Sequence, residues 1–192
     1  MPERSIDLAH QLAEQLRFHW ETAARPRLHG LSDAEYLWEP VEEMWSVRPR
    51  GSSEAPIQGG RGDWVIEFAV PEPEPAPVTT IAWRMGHVIV GVFGTRNHSH
   101  FAGPPMDYFD FDFDFDYAGT AAEALAQLDQ VYAHWIGSVA GLDDEALARP
   151  VGEAEGHFAE EPMIALVLHI HREAIHHMAE IALLRDLYLR QG

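Results

Sequence analysis

The chain has 192 residues, 46% of them hydrophobic, which is enough for a full core without covalent staples. It contains no cysteine, so a disulfide framework, a thiolate metal site and a cysteine nucleophile are all excluded. Its net charge of −18 repels nucleic acid and anionic membranes, and its 13 basic residues are all arginine, which rules out a lysine Schiff base.

In chain order, Ile6, Leu8, Leu12, Leu16 and Trp20 recur mostly at steps of four and predict a first helix from about Ser5 to Ala23. Pro26 is expected to stop it. Charges run through this stretch, and no continuous apolar segment follows. The expectation is a cytoplasmic protein with no transmembrane or secretory segment.

From about Arg25 to Val78 the pattern is irregular, a long insertion between the first two helices. Ser32-Asp33-Ala34-Glu35 is a capping box for a short helix reaching about Trp38. Trp45-Ser46-Val47-Arg48 and the run from Asp63 to Phe68 read as short strands. Gly51 to Gly62 is rich in glycine and serine, and the prolines from Pro71 to Pro77 predict extended chain. Loops of this length are uncommon unless functional or mobile.

A second helix is predicted from about Thr80 to Thr95. Phe109 to Tyr117 alternates aromatic and acidic residues, the pattern of an extended edge segment with Phe inward and Asp solvated. It lacks the glycine turn and bidentate glutamate of a calcium loop. Thr120-Ala121-Ala122-Glu123, another capping box, starts a third helix that ends near Gly141. Pro162 starts a fourth, running to about Arg190. The expected fold is a single all-α domain over residues 1–192, with four long helices and an insertion at about 25–78.

The fourth helix carries the chemistry. Steps of three and four collect Leu166, His169, Ile170, Glu173, His177, Glu180, Ile181, Leu184 and Leu187 on one stripe, with Ile164, Leu168, Ile175, Met178 and Ala182 opposite. A helix apolar on both sides is expected inside a bundle. Ionisable groups buried there unpaired would cost several kcal/mol each. Glu173 and His177, four apart, can reach one metal ion or can belong to a buried polar network. His87, on the second helix with Trp83, Val90, Gly91 and Gly94, reads as a third ligand or as a hydrogen-bonded core histidine. The glycines on that face suggest close approach of another helix. His169 lies one turn before Glu173. His171 and His176 point off the stripe and read as packing or surface groups. His98, His100 and His134 read as non-ligands. A di-iron centre lacks its second Glu-x-x-His element.

Trp83-Arg84-Met85-Gly86-His87, together with Glu173-Ala174-Ile175-His176-His177-Met178-Ala179-Glu180-Ile181 and Leu183-Leu184-Arg185, resembles the DinB/YfiT-like superfamily. Trp45-Ser46-Val47-Arg48 is similar to the tryptophan–serine segment that many members carry ahead of helix two. The resemblance implies a four-helix bundle holding one divalent metal through a histidine of helix two and two groups four apart on the last helix. Those positions fall on His87, Glu173 and His177. Many members have histidine where this chain has Glu173. Glutamate there is similar to the thiol-dependent branch that includes mycothiol-dependent maleylpyruvate isomerase.

The resemblance therefore implies a metal-dependent enzyme, an S-transferase or isomerase, that takes a low-molecular-weight thiol and a small-molecule substrate. Two histidines and a carboxylate suit Zn²⁺ first, with Ni²⁺ or Fe²⁺ as alternatives. His169 and Glu180 are the expected acid–base or ligand-supporting groups, and Arg84 and Arg172 the expected substrate-binding cations. A homodimer is expected, with the Phe/Asp segment and the Trp-bearing insertion as contact surfaces. The other reading is a non-catalytic, stress-associated bundle whose metal is structural, with His169 closing the shell.

Overall fold

The computed structural model describes residues 6–108, 110 and 115–191. Helix α1 spans Leu8–His19, capped by Asp7, whose side chain accepts from the His10 N–H at 2.9 Å. The chain does not stop at Pro26. It widens into π-type turns over Trp20–Ala24 and tightens into 3₁₀ turns over Arg25–Leu28. Pro26 falls in the first 3₁₀ turn, where its missing N–H is not needed. A bidentate pair between Arg25 and Asp129, at 2.7 and 2.9 Å, ties this end down.

The Ser32 hydroxyl caps a short helix, α2 (Asp33–Tyr36), as the capping box requires. Strands β1 (Val47–Pro49), β2 (Ile57–Gly59) and β3 (Trp64–Phe68) form an antiparallel sheet of order β1-β3-β2. Val47 and Gly59 both face Ile66 across it. The all-α expectation thus gives way to a mostly helical fold with a small sheet. The β2 strand was hidden because it is three residues long and lies in the glycine- and serine-rich run.

This sheet is bolted to the helix that follows. The buried Glu67 carboxylate accepts from the Ser46 N–H at 2.7 Å, Arg48 Nε at 2.9 Å and Ser53 Oγ at 2.6 Å. One residue's backbone completes the joint: Trp83 Nε1 donates to the Glu67 carbonyl at 2.7 Å. Helix α3 (Ile81–His87), capped by Thr80, continues through π-type turns over Val88–Gly94 into α4 (Thr95–Phe101). The second helical segment therefore runs six residues beyond its predicted end at Thr95.

Helix α5 (Ala121–Ala140) starts at the Thr120 cap as expected. A short helix, α6 (Asp144–Ala148), and 3₁₀ turns over Glu153–Phe158 precede the long α7 (Met163–Tyr188). Helix α1 packs on α5 and α7, and the α3–α4 segment packs on the same two. Leu16, Trp20, Phe93, Trp135, Ile170 and Ile181 meet in the core between them. Trp20 stacks on Tyr132 with ring centroids 3.9 Å apart.

Helix α7 is not buried on both sides. Leu168 is 54% exposed and Leu187 49%. The buried stripe runs through Leu166, Ile170, Ala174, Met178 and Ile181, so Glu173 and His169 sit at its edge rather than in the core. Among the described residues no helix is both long and apolar enough to cross a membrane. The alternating Phe/Asp stretch lies largely outside the described residues.

Candidate metal centre

His87 ends α3, and His177 lies midway along α7. Packing of α3 on α7 brings their rings to 4.6 Å centroid to centroid, nearly perpendicular. The helical spacing of α7 then sets Glu173 Oε2 at 3.7 Å from His177 Nε2. Glu173 is about one-third exposed, so this end of the helix pair is open to solvent.

Each histidine has one nitrogen already engaged. His177 Nδ1 lies 2.8 Å from Glu180 Oε2, one turn on. His87 Nδ1 lies 3.0 Å from the Tyr108 hydroxyl. Both rings thus keep Nε2 for another partner. Burial pushes the His87 pKa down to about 3, helped by the charges of His177, Arg84 and Arg96. Burial also lowers His177, against the opposing pull of Glu180. Both are neutral at pH 7, the state a metal needs. A carboxylate behind the imidazole is a usual support of metal-bound histidine, and the Tyr108 hydroxyl can accept from His87 Nδ1–H in the same position. The donor set fits a divalent cation: two neutral imidazoles, and one carboxylate to supply negative charge.

Arg84, expected as a substrate-binding cation, is paired with Glu180. Its Nε lies 3.1 Å from Glu180 Oε2, and its guanidinium sits 5.2 Å from the Trp83 ring centre. Burial lowers its pKa while Glu180 opposes that. Among the described residues, the three donors whose ligand atoms all lie within 4.8 Å of one another are His176, His177 and Glu180, a group that shares His177 but not His87 or Glu173 with the predicted set. His176, which the sequence places off the stripe as a packing or surface group, has a side chain 63% exposed. Arg84 already brings positive charge to Glu180, which disfavours a second cation there.

His169 Nδ1 is held by Arg172 at 2.6 Å and lies 3.6 Å from Glu173 Oε1. His169 and Arg172 also line a hollow of roughly 360 Å³ with Val151, Phe158, Leu166 and Glu155. The loop forming its far wall is pinned by Glu155, which accepts from Arg96 at 3.1 Å and pairs with His100 at 2.9 Å. His171 is buried, and neither of its ring nitrogens has a hydrogen-bond partner among the described residues.

Sequence reasoning missed Tyr108 and the real use of the helix glycines. A Cβ at Gly91 would lie 2.9 Å from the Tyr108 ring, and one at Gly94 would overlap the Met106 sulfur at 2.2 Å. These glycines admit the segment after α4, not another helix. Small residues on the same helix face as a histidine, followed by an aromatic in the next loop, are the trace of this in the sequence.

A family model of the DinB superfamily matches residues 15–181. No curated protein and no solved structure matches the chain. The match covers most of the sequence, so the chain belongs to the DinB superfamily.

Proposed function

We propose that this member of the DinB superfamily is a divalent-metal-dependent enzyme, built as a four-helix bundle, with His87, Glu173 and His177 as its protein ligands. The observation that carries the reading is the pairing of both Nδ1 atoms, His177 to Glu180 and His87 to Tyr108, with Glu173 beside the remaining His177 nitrogen. When bound, the ion supplies a Lewis acid that lowers the pKa of a thiol or water brought to it. Zn²⁺ is the preferred metal, with Ni²⁺ and Fe²⁺ suited to the same donors.

The chain's own residues divide the remaining work. Glu180 holds His177 in the tautomer that frees Nε2, and Arg84 holds Glu180. Arg172 donates to His169 Nδ1, which occupies that lone pair and keeps the nitrogen from closing the metal shell. This favours an open, catalytic site over a structural four-ligand one. The hollow beside His169 takes the small-molecule substrate: Val151, Phe158 and Leu166 face its apolar body, and Arg172 an anionic group. With no cysteine in the chain, any thiol arrives as a low-molecular-weight cosubstrate, and the reaction class is thiol S-transfer or thiol-assisted isomerisation. The protein works as a cytoplasmic homodimer.

The test has two steps. Metal analysis of untagged protein, purified without added metal, should give one divalent ion per chain. The loaded protein is then assayed against an electrophile panel with and without mycothiol, bacillithiol and glutathione. Turnover should require a thiol and vanish with a chelator. Turnover without any thiol would instead favour activated water as the nucleophile. No turnover, with four protein ligands on the metal, would move the reading to a structural ion.

A further inference from the structure

We propose that Tyr108 is a positioning residue that accepts from His87 Nδ1–H and so holds the ring with Nε2 turned to the metal; this rests on the ligand reading above. Tyr108 Oη lies 3.0 Å from His87 Nδ1. The phenol meets the imidazole edge-on, centroids 5.2 Å apart, while the Trp83 indole lies parallel to it at 5.4 Å. The imidazole is therefore framed by two aromatic rings, and the hydroxyl addresses a single one of its nitrogens.

The phenol ring is held by contacts that do not involve its hydroxyl. Its backbone N–H donates to Thr95 Oγ1 at 3.1 Å. Phe68 packs edge-on against it at 5.5 Å, which links it to the sheet of the insertion. Gly91 supplies the space for the ring, since a Cβ there would come within 2.9 Å of it. Helix, loop and insertion thus converge on one side chain whose tip reaches the metal-facing histidine.

A neutral imidazole carries one N–H. When Nδ1–H donates to Tyr108 Oη, the Nε2 lone pair is available to the ion. The other tautomer puts a proton on Nε2, where the ion must bind. Glu180 can only accept and so favours the Nδ1–H tautomer of His177; the Tyr108 hydroxyl, which both donates and accepts, serves His87 by accepting from Nδ1–H when the ion takes Nε2. Groups of this kind behind metal-bound histidines are commonly worth 10–100-fold in metal affinity.

The test is Tyr108→Phe, which keeps the ring in its seat and removes only the hydroxyl. Zn²⁺ affinity is measured by competition with a chelator, the Co²⁺-loaded protein gives a visible d–d spectrum, and metal-free protein is melted in parallel. Zn²⁺ affinity should fall by about 10–100-fold. The Co²⁺ band should change shape, and the metal-free melting temperature should stay that of the wild type. Wild-type affinity and spectrum in the Phe variant overturn the proposal. So does a loss of affinity matched by a lower metal-free melting temperature, which would mark the hydroxyl as merely structural. His87→Ala separates the two layers. If it still binds Zn²⁺ like the wild type, the ligand reading falls and the proposal with it. If it loses Zn²⁺ while Tyr108→Phe does not, the ligand reading stands and the role of Tyr108 falls.

Discussion

His177 and Glu180 are bonded along one turn of α7, Nδ1 to Oε2 at 2.8 Å, with the Arg84 guanidinium 3.1 Å from the same oxygen. The carboxylate is thus shared between an imidazole that needs an acceptor and a half-buried cation that needs a counter-charge. Glu180→Gln keeps a hydrogen-bonding group but removes the charge from both. Metal affinity should fall by about 10–100-fold, the range for loss of a carboxylate behind a ligand histidine. Chelator competition measures it. Unchanged affinity would show that Glu180 serves Arg84 alone.

The proposed ligand set separates from its neighbour by substitution. Ala at His87, Glu173 or His177 should each remove most of the metal, while His176→Ala should leave it in place. Metal content per chain, by elemental analysis, decides. Full metal in Glu173→Ala together with loss in His176→Ala would move the ion to the outer group of His176, His177 and Glu180.

Much of this arrangement was legible in the sequence, and the part that was not has a physical reason. The caps at Ser32 and Thr120 are local, three-residue signals, and both sit where the pattern put them. Glu173 and His177 meet because helical spacing alone brings them together. The burial of α7 is not legible because periodicity reports which residues share a face, not which neighbour covers it; Leu168 and Leu187 are apolar yet half exposed. Tyr108 could not be found at all. Its bond to His87 joins residues on a helix and a loop, through space made by a glycine, and no periodicity encodes that.

The end of α7 is fixed by a buried ion pair. Arg185 Nε and Nη2 meet the two Glu35 oxygens at 2.6 and 3.1 Å, and Arg185 Nη1 donates to the carbonyls of Arg27 and His29. Both side chains are under a tenth exposed. Glu35→Ala leaves the guanidinium buried without its counter-charge, which should destabilise the protein by about 3–5 kcal/mol. Urea unfolding measures this. A loss under about 1 kcal/mol, the range of exposed pairs, would contradict it.

His171 gives the fold an acid sensitivity of its own. Burial depresses its pKa from 6.5 to about 4, so the folded state holds it neutral. Between those values the unfolded chain binds the proton and the folded one does not. Stability from this group is complete above pH 6.5 and is lost as pH falls toward 4. From pH 7 to 5 the loss is about 2 kcal/mol. His171→Leu should flatten that part of the profile, measured by urea unfolding with chelator present throughout. Metal content of the variant should match the wild type, because His171 lies on the Trp135 side of the helix, with ring centroids 6.2 Å apart. An equal slope in both proteins would assign the acid sensitivity elsewhere.

Metal binding can be read without any substrate, through the stability it adds. An ion that binds only the folded chain stabilises it by RT ln(1 + [L]/Kd), or about 2.7 kcal/mol at a hundredfold excess over Kd. For a chain of this size that is roughly 5–10 °C in melting temperature. The proposed ligands come from two helices, α3 and α7, and His177 and His87 meet across their interface, so the ion would clamp the same contact that global unfolding must open. Zn²⁺ should raise the melting temperature of chelator-treated protein by that amount, and a chelator should reverse it. Glu173→Ala should show no rise, because its remaining histidines lack the carboxylate charge. The shift should fade as pH drops, since protons compete with the ion for both imidazoles. A flat melting temperature across a Zn²⁺ titration of the wild type, at neutral pH, would mean that the two histidines pack against each other for structure alone.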